Sequence, residues 1–419
     1  MGARWFKLVA WILAASMTPL ATATNFKAEV GFEVRAFPDQ GARTDEQLFP
    51  AAWTELEWFT SWNGGDDALT LVSGFWWDAE DDERTHADLR ELSWLHLGEG
   101  WELRSGVRRV FWGVAESQHL VDIINQSDLV LALDGEEKLG QPMVNLSVER
   151  PYGIFDFFLL SGFRERTFPG VDGRVGPPFP VDGAEYESDR EEGHLSWALR
   201  WTHYIGDWNF AVSHFSGTSR EPQLRPAIAL VGGVPTPTES LVAHYPTIDQ
   251  TGLEAQYLAG GWVWKLEAIS RSGFFTPRYA AAVFGFEFTQ GGVLGTRSDL
   301  GWVVEYNWDE RGDSAQNQVF EQDVFVAARW VANDLRGTEG LLGVYLDPET
   351  RERVWWLEAS RRLNSDWKLV VEGRAFAGGH PLPTDFARLV AALSAPDVDN
   401  KTGYLQQDDF VRFQLIRYF

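Results

Sequence analysis

The 419-residue sequence contains no cysteine. This excludes disulfide bonds, thiolate metal sites and a lipid-modified amino-terminal cysteine. Basic residues are also scarce, because 36 Lys and Arg stand against 61 Asp and Glu, for a formal net charge of −25. Binding of nucleic acid requires clustered Lys and Arg that neutralise phosphates, so the composition argues against a nucleic-acid partner.

Long hydrophobic runs are missing too. The apolar run LVAWILAA near the start is too short to span a bilayer. It follows the positively charged Arg4 and Lys7 and precedes Ala21 and Ala23, which have the small-x-small spacing of a cleavage site. We therefore predict that residues 1–23 form a secretory signal peptide that is cleaved after Ala23. An uncleaved membrane anchor is the alternative.

Alternation of apolar and charged residues takes the place of hydrophobic runs. In FKAEVGFEVRAF (26–37), apolar side chains occupy the even positions, whereas Lys27, Glu29, Glu33 and Arg35 occupy odd ones. A period of two is typical of a strand with one apolar and one polar face. The alternating segments run to about ten residues, against about 5 to 6 for the mean soluble strand. Ten residues are enough for a tilted strand to cross a membrane.

Connections between the alternating segments are short and long in turn, as an up-and-down transmembrane barrel requires. The predicted strands begin near residues 26, 52, 68, 85, 101, 143, 152, 194, 208, 250, 262, 279, 300, 319, 340, 353, 367 and 408. The sequence therefore predicts an all-β fold, in which residues 24–419 form a single transmembrane antiparallel β-barrel of about 18 strands, within a range of 16–18.

The final segment FVRFQLIRYF (410–419) also alternates and ends on an aromatic residue. In a closed barrel the last strand pairs with the first, so this segment is expected to be part of the wall. The segment resembles the carboxy-terminal assembly signal of Gram-negative outer-membrane β-barrels, a porin-like channel family. The residues that carry this resemblance are Phe413, Leu415, Tyr418 and Phe419.

The resemblance implies export through the secretory pathway to the outer membrane of a Gram-negative bacterium. It implies contact with outer-membrane lipid and lipopolysaccharide, and insertion by the outer-membrane barrel assembly machinery. We predict no cofactor and no metal site, and the sequence defines no oligomeric state.

A barrel of about 18 strands is too wide for side chains alone to fill, so its lumen must hold water, a plug or folded-in loops. The candidate inward loop is 113–142, where Leu120, Ile123 and Ile124 have helical spacing and Ser117 is a possible cap. The alternative is an external loop. The polar residues predicted to form a pore constriction are Glu116, His119, Asp122, Asn125 and Asp128.

Charged residues of both signs fall on the rows predicted to face the lumen. These candidate pore-lining residues are Lys27, Glu29, Glu33, Arg35, Glu55, Glu57, Arg104, Arg108, Lys265, Glu267, Arg329, Glu372, Arg374 and Arg412. Opposed acidic and basic rows orient polar solutes by a transverse field. The alternative is that they neutralise one another across a wet wall.

Histidines at 119, 194, 203 and 214 are accompanied by no nucleophile elbow and no zinc-binding His pair, so we predict that the protein is not an enzyme. The main hypothesis is an outer-membrane channel for passive diffusion of small hydrophilic solutes, with a preference for cations or neutral molecules. One alternative is a closed barrel that acts as an adhesin, receptor or structural anchor through its long loops. Another is a polysaccharide-export barrel, because 18 strands would resemble the alginate-export type.

Overall fold

The structure is a computed structural model that describes residues 23–41, 44–177, 179–273, 277–312, 320–383, 385–394 and 400–419. Residues 1–22, which make up nearly all of the predicted signal peptide, lie outside the described residues. Among the described residues, no helix has the length and apolar character needed to cross a membrane.

Twenty-one strands account for most of the described chain. They are β1 (Ala23–Ala36), β2 (Leu48–Trp62), β3 (Asp67–Asp78), β4 (His86–Gly98), β5 (Trp101–Arg108), β6 (Gln141–Arg150), β7 (Gly153–Leu160), β8 (Val181–Tyr186), β9 (Ser196–Ile205), β10 (Trp208–Thr218), β11 (Gln223–Val231), β12 (Val234–Tyr245), β13 (Thr247–Ala259), β14 (Trp262–Ser272), β15 (Tyr279–Gln290), β16 (Asp299–Asp309), β17 (Val324–Val331), β18 (Glu339–Leu346), β19 (Arg353–Arg362), β20 (Trp367–Ala377) and β21 (Phe410–Tyr418). A helix, Phe386–Ser394, precedes the last strand.

Eighteen of these strands, all except β8, β11 and β12, form one antiparallel sheet that closes on itself. The closed 18-strand barrel predicted from the alternation is therefore confirmed. The predicted strand starts agree with the observed ones to within five residues, and the largest difference is at β17, which begins at Val324 instead of 319.

The barrel closes where β1 pairs with β21. Glu29 lies opposite Tyr418 and Ala36 lies opposite Val411 in this antiparallel pairing. The backbone N–H of Phe419 donates to the carbonyl oxygen of Ala28 at 2.9 Å. The final segment is thus hydrogen-bonded into the wall, while its role as an assembly signal stays a prediction.

The two faces of the wall follow the predicted rows. On β14, Trp264 faces outward and is 38% exposed, whereas the adjacent Lys265 faces inward and is 8% exposed. On β1, Phe26 and Phe32 lie outward and Glu33 is buried on the inner face. Because each strand alternates, a single register places a continuous apolar surface outside and polar groups inside.

The two ends of the barrel differ in their connections. At the short-turn end, β4 and β5, β6 and β7, β9 and β10, and β13 and β14 are each joined by two residues. The opposite, long-loop end carries the connections 109–140, 161–195, 219–246 and 378–409. Strands β8, β11 and β12 form a separate sheet at this end, in which β12 pairs with β11 antiparallel and with β8 parallel.

Two apolar clusters fill the long-loop half of the barrel interior. The first cluster joins loop residues to inward-facing residues of the wall, namely Trp112, Val121, Ile123, Ile124, Met143, Phe158, Leu160, Ala198, Phe215, Ile248, Ile269, Tyr279 and Ala281. The second cluster lies on other strands and consists of Phe37, Phe49, Val175, Val303, Phe325, Ala327, Leu341, Tyr345, Val354, Phe376, Leu405 and Phe410. Loops packed on inward-facing apolar residues therefore occupy this half of the lumen.

Candidate functional site in the barrel lumen

The connection between β5 and β6, residues 109–140, folds into the barrel, and we call it the inner loop. Glu267, on the inner face of β14, accepts hydrogen bonds from the backbone N–H groups of Val114 (2.7 Å) and Ala115 (2.9 Å) through one oxygen. Its second oxygen accepts from Val121 N–H at 3.3 Å. One wall carboxylate thus fixes two turns of the inner loop.

A second wall carboxylate holds the neighbouring part of the inner loop. Glu305 of β16 accepts hydrogen bonds from the N–H groups of Glu116 (2.9 Å) and Ser117 (2.7 Å) and from the Ser117 hydroxyl (2.6 Å). The Tyr345 hydroxyl donates to the Ser117 carbonyl at 2.7 Å, and Arg329 forms an ion pair with the Glu116 carboxylate. The inner loop therefore reaches across the lumen to strands β14 to β18.

These hydrogen bonds explain why the helical turn predicted around Leu120, Ile123 and Ile124 does not form. The inner loop contains turns and isolated bridges but no helix. Because Glu267 and Glu305 take the N–H groups of residues 114–117 and 121, those groups are not free to form a helical ladder. Ser117 donates to the wall and does not cap a helix.

Three of the five predicted constriction residues do not face open space. Asn125 is buried, and it accepts from Val110 N–H and donates to the carbonyls of Arg108 and Leu139, all at 2.8 Å. Its side chain thereby links the two ends of the inner loop. Its amide satisfies backbone groups in the interior of the loop, away from the open part of the lumen, and its role at a constriction stays a prediction.

Asp122 and Asp128 are also buried. The Asp122 carboxylate lies 3.0 Å from the Lys138 ammonium, and Asp128 accepts from the Thr167 hydroxyl at 2.6 Å. Burial raises the pKa of Asp122, although Lys138 opposes this, and burial raises the pKa of Asp128 against the hydrogen bond from Thr167. Neither carboxylate lines the main cavity of the lumen, and their role at a constriction stays a prediction.

Glu116 and His119 do face open space, and His119 contacts a carboxylate of the same loop. Its Nε2 lies 2.8 Å from Glu136 Oε1. Burial acts to lower the pKa of His119, but the hydrogen bond and charge of Glu136, with the charges of Glu267 and Asp122, raise this pKa above its ordinary value. The hydrogen bond from His119 lowers the pKa of Glu136.

A polar chamber of about 700 Å³ lies in the lumen. It reaches the short-turn end along β17 to β20, and on the β1 to β4 side it extends to Arg84, in a connection at the long-loop end. Its carboxylates are Glu29, Glu33, Glu55, Glu116, Asp134, Glu136, Glu137, Glu339, Glu358 and Glu372, and its cationic side chains are Arg84, Arg90, Arg109, Arg329, Lys368 and Arg412. Ten acidic groups therefore border the chamber against six basic ones. An excess of negative charge around enclosed water attracts cations and repels anions.

The predicted pore-lining residues fall into two groups. Those that line the chamber are Glu29, Glu33, Glu55, Arg329, Glu372 and Arg412. Most of the others are paired with neighbours on the inner wall: Lys27 with Glu57 (2.9 Å), Arg35 with Glu33 (3.5 Å), Arg104 with Glu102 (3.0 Å), Arg108 with Asn145 (3.1 Å), and Lys265 with Glu287. Glu267 and Arg374 are paired with the inner loop, Arg374 with Asp134 at 2.9 Å.

Ion pairs connect the inner loop to the far wall of the chamber. The buried guanidinium of Arg374 lies 2.9 Å from Asp134 of the inner loop and 3.2 Å from both Glu358 and Glu372. Arg412 forms a further ion pair with Glu372. Three carboxylates thus share Arg374, which leaves negative charge in excess on this side.

A second segment, residues 171–177, is held by hydrogen bonds at the long-loop end, and we call it the mouth segment. The buried Arg174 side chain donates to Asp408 (2.6 Å) and to the carbonyls of Asp39 (3.1 Å) and Glu46 (3.2 Å). Val175 N–H donates to the same Asp408 carboxylate at 2.9 Å. Val175 adopts a φ of 61°, a left-handed conformation that a β-branched residue rarely adopts. The mouth is therefore held by contacts from three separate connections.

Several chamber residues were not predicted from the sequence, including Trp53, Trp76, Glu137, Glu358 and Lys368. In β19, the adjacent Trp355 and Trp356 interrupt the alternation of apolar and polar residues. The sequence therefore did not reveal that Glu358 faces inward. The inward row of β20, where Lys368 precedes Glu372, did carry a usable signal. Segment 171–177 has no such signal, because the hydrogen-bonding partners of Arg174 and Val175 lie more than 100 residues away.

Neither a protein-family model nor a curated protein sequence matches the chain. Solved structures do resemble it. Wzi of Escherichia coli, a carbohydrate-binding β-barrel of the outer membrane involved in group 1 capsule assembly, has a TM-score of 0.54 at 8% identity, covering 94% of this chain and 84% of Wzi. The chain has the fold of an outer-membrane β-barrel.

Two porin-type barrels show the same fold over nearly their full length. A BenF-like porin from Pseudomonas fluorescens Pf-5 has a TM-score of 0.50 at 8% identity, covering 95% of this chain and 98% of the porin. OccK9 (OpdG) of Pseudomonas aeruginosa also has a TM-score of 0.50, at 10% identity, with 95% and 98% coverage. At these identities the likeness concerns the fold of the outer-membrane barrel alone.

Proposed function

We propose that the protein is an outer-membrane channel for passive diffusion of small hydrophilic solutes, with a preference for cationic or neutral ones. The observation that carries the proposal is the water-accessible chamber bordered by ten carboxylates and six cationic groups. The outward apolar rows and the outer-membrane barrels of similar fold support the location. We further propose secretory export and insertion by the barrel assembly machinery.

The chamber wall explains how charge selection would operate. Glu29 and Glu55 are opposite each other on β1 and β2, and both border the chamber. Glu339 accepts from the Ser360 hydroxyl at 2.9 Å, and within the described part of the chain no cation is hydrogen-bonded to it. Such carboxylates raise the local cation concentration, and the effect weakens as salt shortens the screening length.

Reversal potentials across a planar bilayer test the proposal. Wild-type protein in a KCl gradient is expected to pass K⁺ in preference to Cl⁻, more strongly at low salt. Replacing Glu29, Glu55 and Glu339 together by Gln is expected to shift the reversal potential toward that of Cl⁻. The matched control replaces the buried Asp122 and Asp128 by Asn, which leaves the charge bordering the chamber unchanged.

The proposal fails if the protein does not conduct. The assignment of charge selection to the chamber fails if the control variant shifts the potential and the chamber variant does not. We also propose a non-enzymatic role, since His194, His203 and His214 do not line the chamber.

A second candidate function is a closed barrel that binds carbohydrate or another ligand as a receptor. Trp53 and Trp76 both border the chamber, and the Arg90 guanidinium lies 5.2 Å from the centre of the Trp76 ring. Aromatic rings beside charged hydrogen-bonding groups are suited to sugar binding. Absence of conductance together with saturable binding of an oligosaccharide would favour this function over the channel.

A further inference from the structure

A side recess of about 290 Å³ opens from the chamber between the inner loop and the wall strands β17 to β19. Phe111, His119 and Glu136 contribute from the inner loop, and Trp356 and Glu358 contribute from β19. The recess adjoins the chamber, because Glu136 and Glu358 border both. A solute in the chamber therefore lies next to the recess.

The recess has an uncovered aromatic wall. Phe111 is 52% exposed although it belongs to a loop enclosed by the barrel, and its ring makes a T-shaped contact with the His119 ring, at 4.7 Å between ring centres. On the opposite side, the Arg374 guanidinium lies 3.8 Å from the centre of the Trp356 ring. The Trp356 ring thus already contacts a cation, the Arg374 guanidinium, whereas the Phe111 ring presents apolar surface to water. A ligand that covers Phe111 would remove that surface from water.

The charge around the recess is negative. The carboxylates that border the recess are Glu116, Glu136 and Glu358, and the residues that line it include no Lys or Arg. The adjoining chamber has ten carboxylates and six cationic groups, so the surroundings of the recess are net negative, and His119 adds at most one positive charge. An anionic ligand is therefore disfavoured.

We propose that the recess binds a small organic cation whose positive charge is surrounded by methyl or methylene groups, that is, an alkylammonium. Such an ion satisfies both features at once, because its charge pairs with the carboxylates and its apolar shell packs on Phe111. Aromatic faces attract such cations through the ring quadrupole. A hydrated metal ion would leave the aromatic wall uncovered. The inference rests on the proposed channel, because it names a solute class for that path.

Three small molecules of related shape separate the contribution of the positive charge to binding from that of the methyl groups. Choline carries both the charge and the methyl groups, 3,3-dimethylbutan-1-ol has the same shape without the charge, and ethanolamine has the charge without the methyl groups. Titration calorimetry of the full-length protein in detergent is expected to give the tightest binding for choline. In planar bilayers, choline is expected to interrupt the K⁺ current more than either other probe.

Phe111→Leu tests the aromatic wall, because it keeps an apolar side chain and removes the ring. We expect choline binding to weaken by roughly tenfold, while 3,3-dimethylbutan-1-ol changes little. The matched control is Phe75→Leu on β3, a ring of similar exposure (49%) that faces outward. This control should leave choline binding unchanged.

Each outcome separates the recess from the channel. If ethanolamine binds as tightly as choline, or if Phe111→Leu has no effect, the recess does not select alkylammonium ions. If the protein conducts K⁺ and none of the probes binds, this inference is wrong and the channel stands. If choline binds in calorimetry and no ionic current is observed, the channel is wrong and the site remains.

Discussion

On the β17 to β20 side of the barrel, the two halves of the lumen contrast along single strands. On β17, Phe325 and Ala327 lie in the long-loop half and belong to the second apolar cluster, whereas Arg329 on the same inward row borders the chamber. On β20, Phe376 is buried in that cluster, while Lys368 lines the chamber eight residues earlier. The inward row of a strand therefore changes from polar to apolar partway along its length.

This contrast shows what fills a wide barrel. Inward-facing side chains that contacted only water would be expected to be polar, because exposed apolar surface is unfavourable. Phe158 and Leu160 at the long-loop end of β7 are instead covered by the inner loop. An apolar residue on an inward row thus indicates the place where a loop folds back into the barrel.

The largest expected effect comes from placing a charge in the filled half. Ile124→Asp removes a fully buried side chain of the first cluster and leaves a carboxylate among apolar neighbours, at a cost of about 5 kcal/mol. Val370→Asp, on the chamber wall, is expected to cost less than about 1 kcal/mol. Urea unfolding in lipid vesicles measures both, and equal costs would contradict the division of the lumen into filled and open halves.

The mouth segment should be the next most sensitive part of the filled half. Arg174→Met keeps the length of the side chain but leaves the buried Asp408 without its guanidinium partner, at a cost of about 3 kcal/mol. We expect faster proteolysis of the long loops and a higher single-channel conductance. Arg190→Met, an exposed residue of the same connection, is the control and should change neither quantity.

The third-largest effect is expected from the two wall carboxylates that hold the inner loop. Glu267→Gln and Glu305→Gln each weaken charge-assisted bonds to backbone N–H groups, at a cost of about 2 kcal/mol per variant. The expected result is a noisier current, because the inner loop is less firmly fixed. Glu55→Gln, on the chamber wall, should leave the noise unchanged. A quiet current in the Glu267 and Glu305 variants would show that the loop is held by apolar packing alone.

The smallest effect concerns pH and the contact between His119 and Glu136. The pKa of His119 is raised above 6.5, so its stabilisation is complete below that value and is lost as pH rises through the raised pKa. The pKa of Glu136 is lowered, so its stabilisation is lost only as pH falls through that lowered value. The contact is therefore strongest between the two pKa values.

Raising the pH should loosen this contact by less than about 1 kcal/mol, because Glu136 is half exposed. Current noise is expected to be greater at about pH 9 than at about pH 6. In His119→Asn, the same pH change should have no effect on the noise. A pH response that persists in this variant would have to come from another group.

The alternation of residues predicted the wall of this protein but not its interior. Register and face follow from local sequence, so the strand count and the inward position of Arg329 were predicted correctly. Burial of Asp122 depends on Lys138 and on the wall around the inner loop. The helical spacing of Leu120 and Ile123 indicated an apolar face correctly, but Glu267, more than 140 residues away, determined the backbone conformation. Contacts between distant segments have no periodic signature.

The separation between the inner loop and its partners has a consequence for the order of folding. Val114 and Glu267 are 153 residues apart in sequence, and Ser117 and Tyr345 are 228 apart. Closing such long chain segments is entropically unfavourable and slow compared with forming adjacent hairpins. The inner loop is synthesised before 13 of the 18 wall strands, yet it cannot reach its final position until β14, β16 and β18 are present. The inner loop therefore packs into the barrel late in folding, after most of the wall has formed.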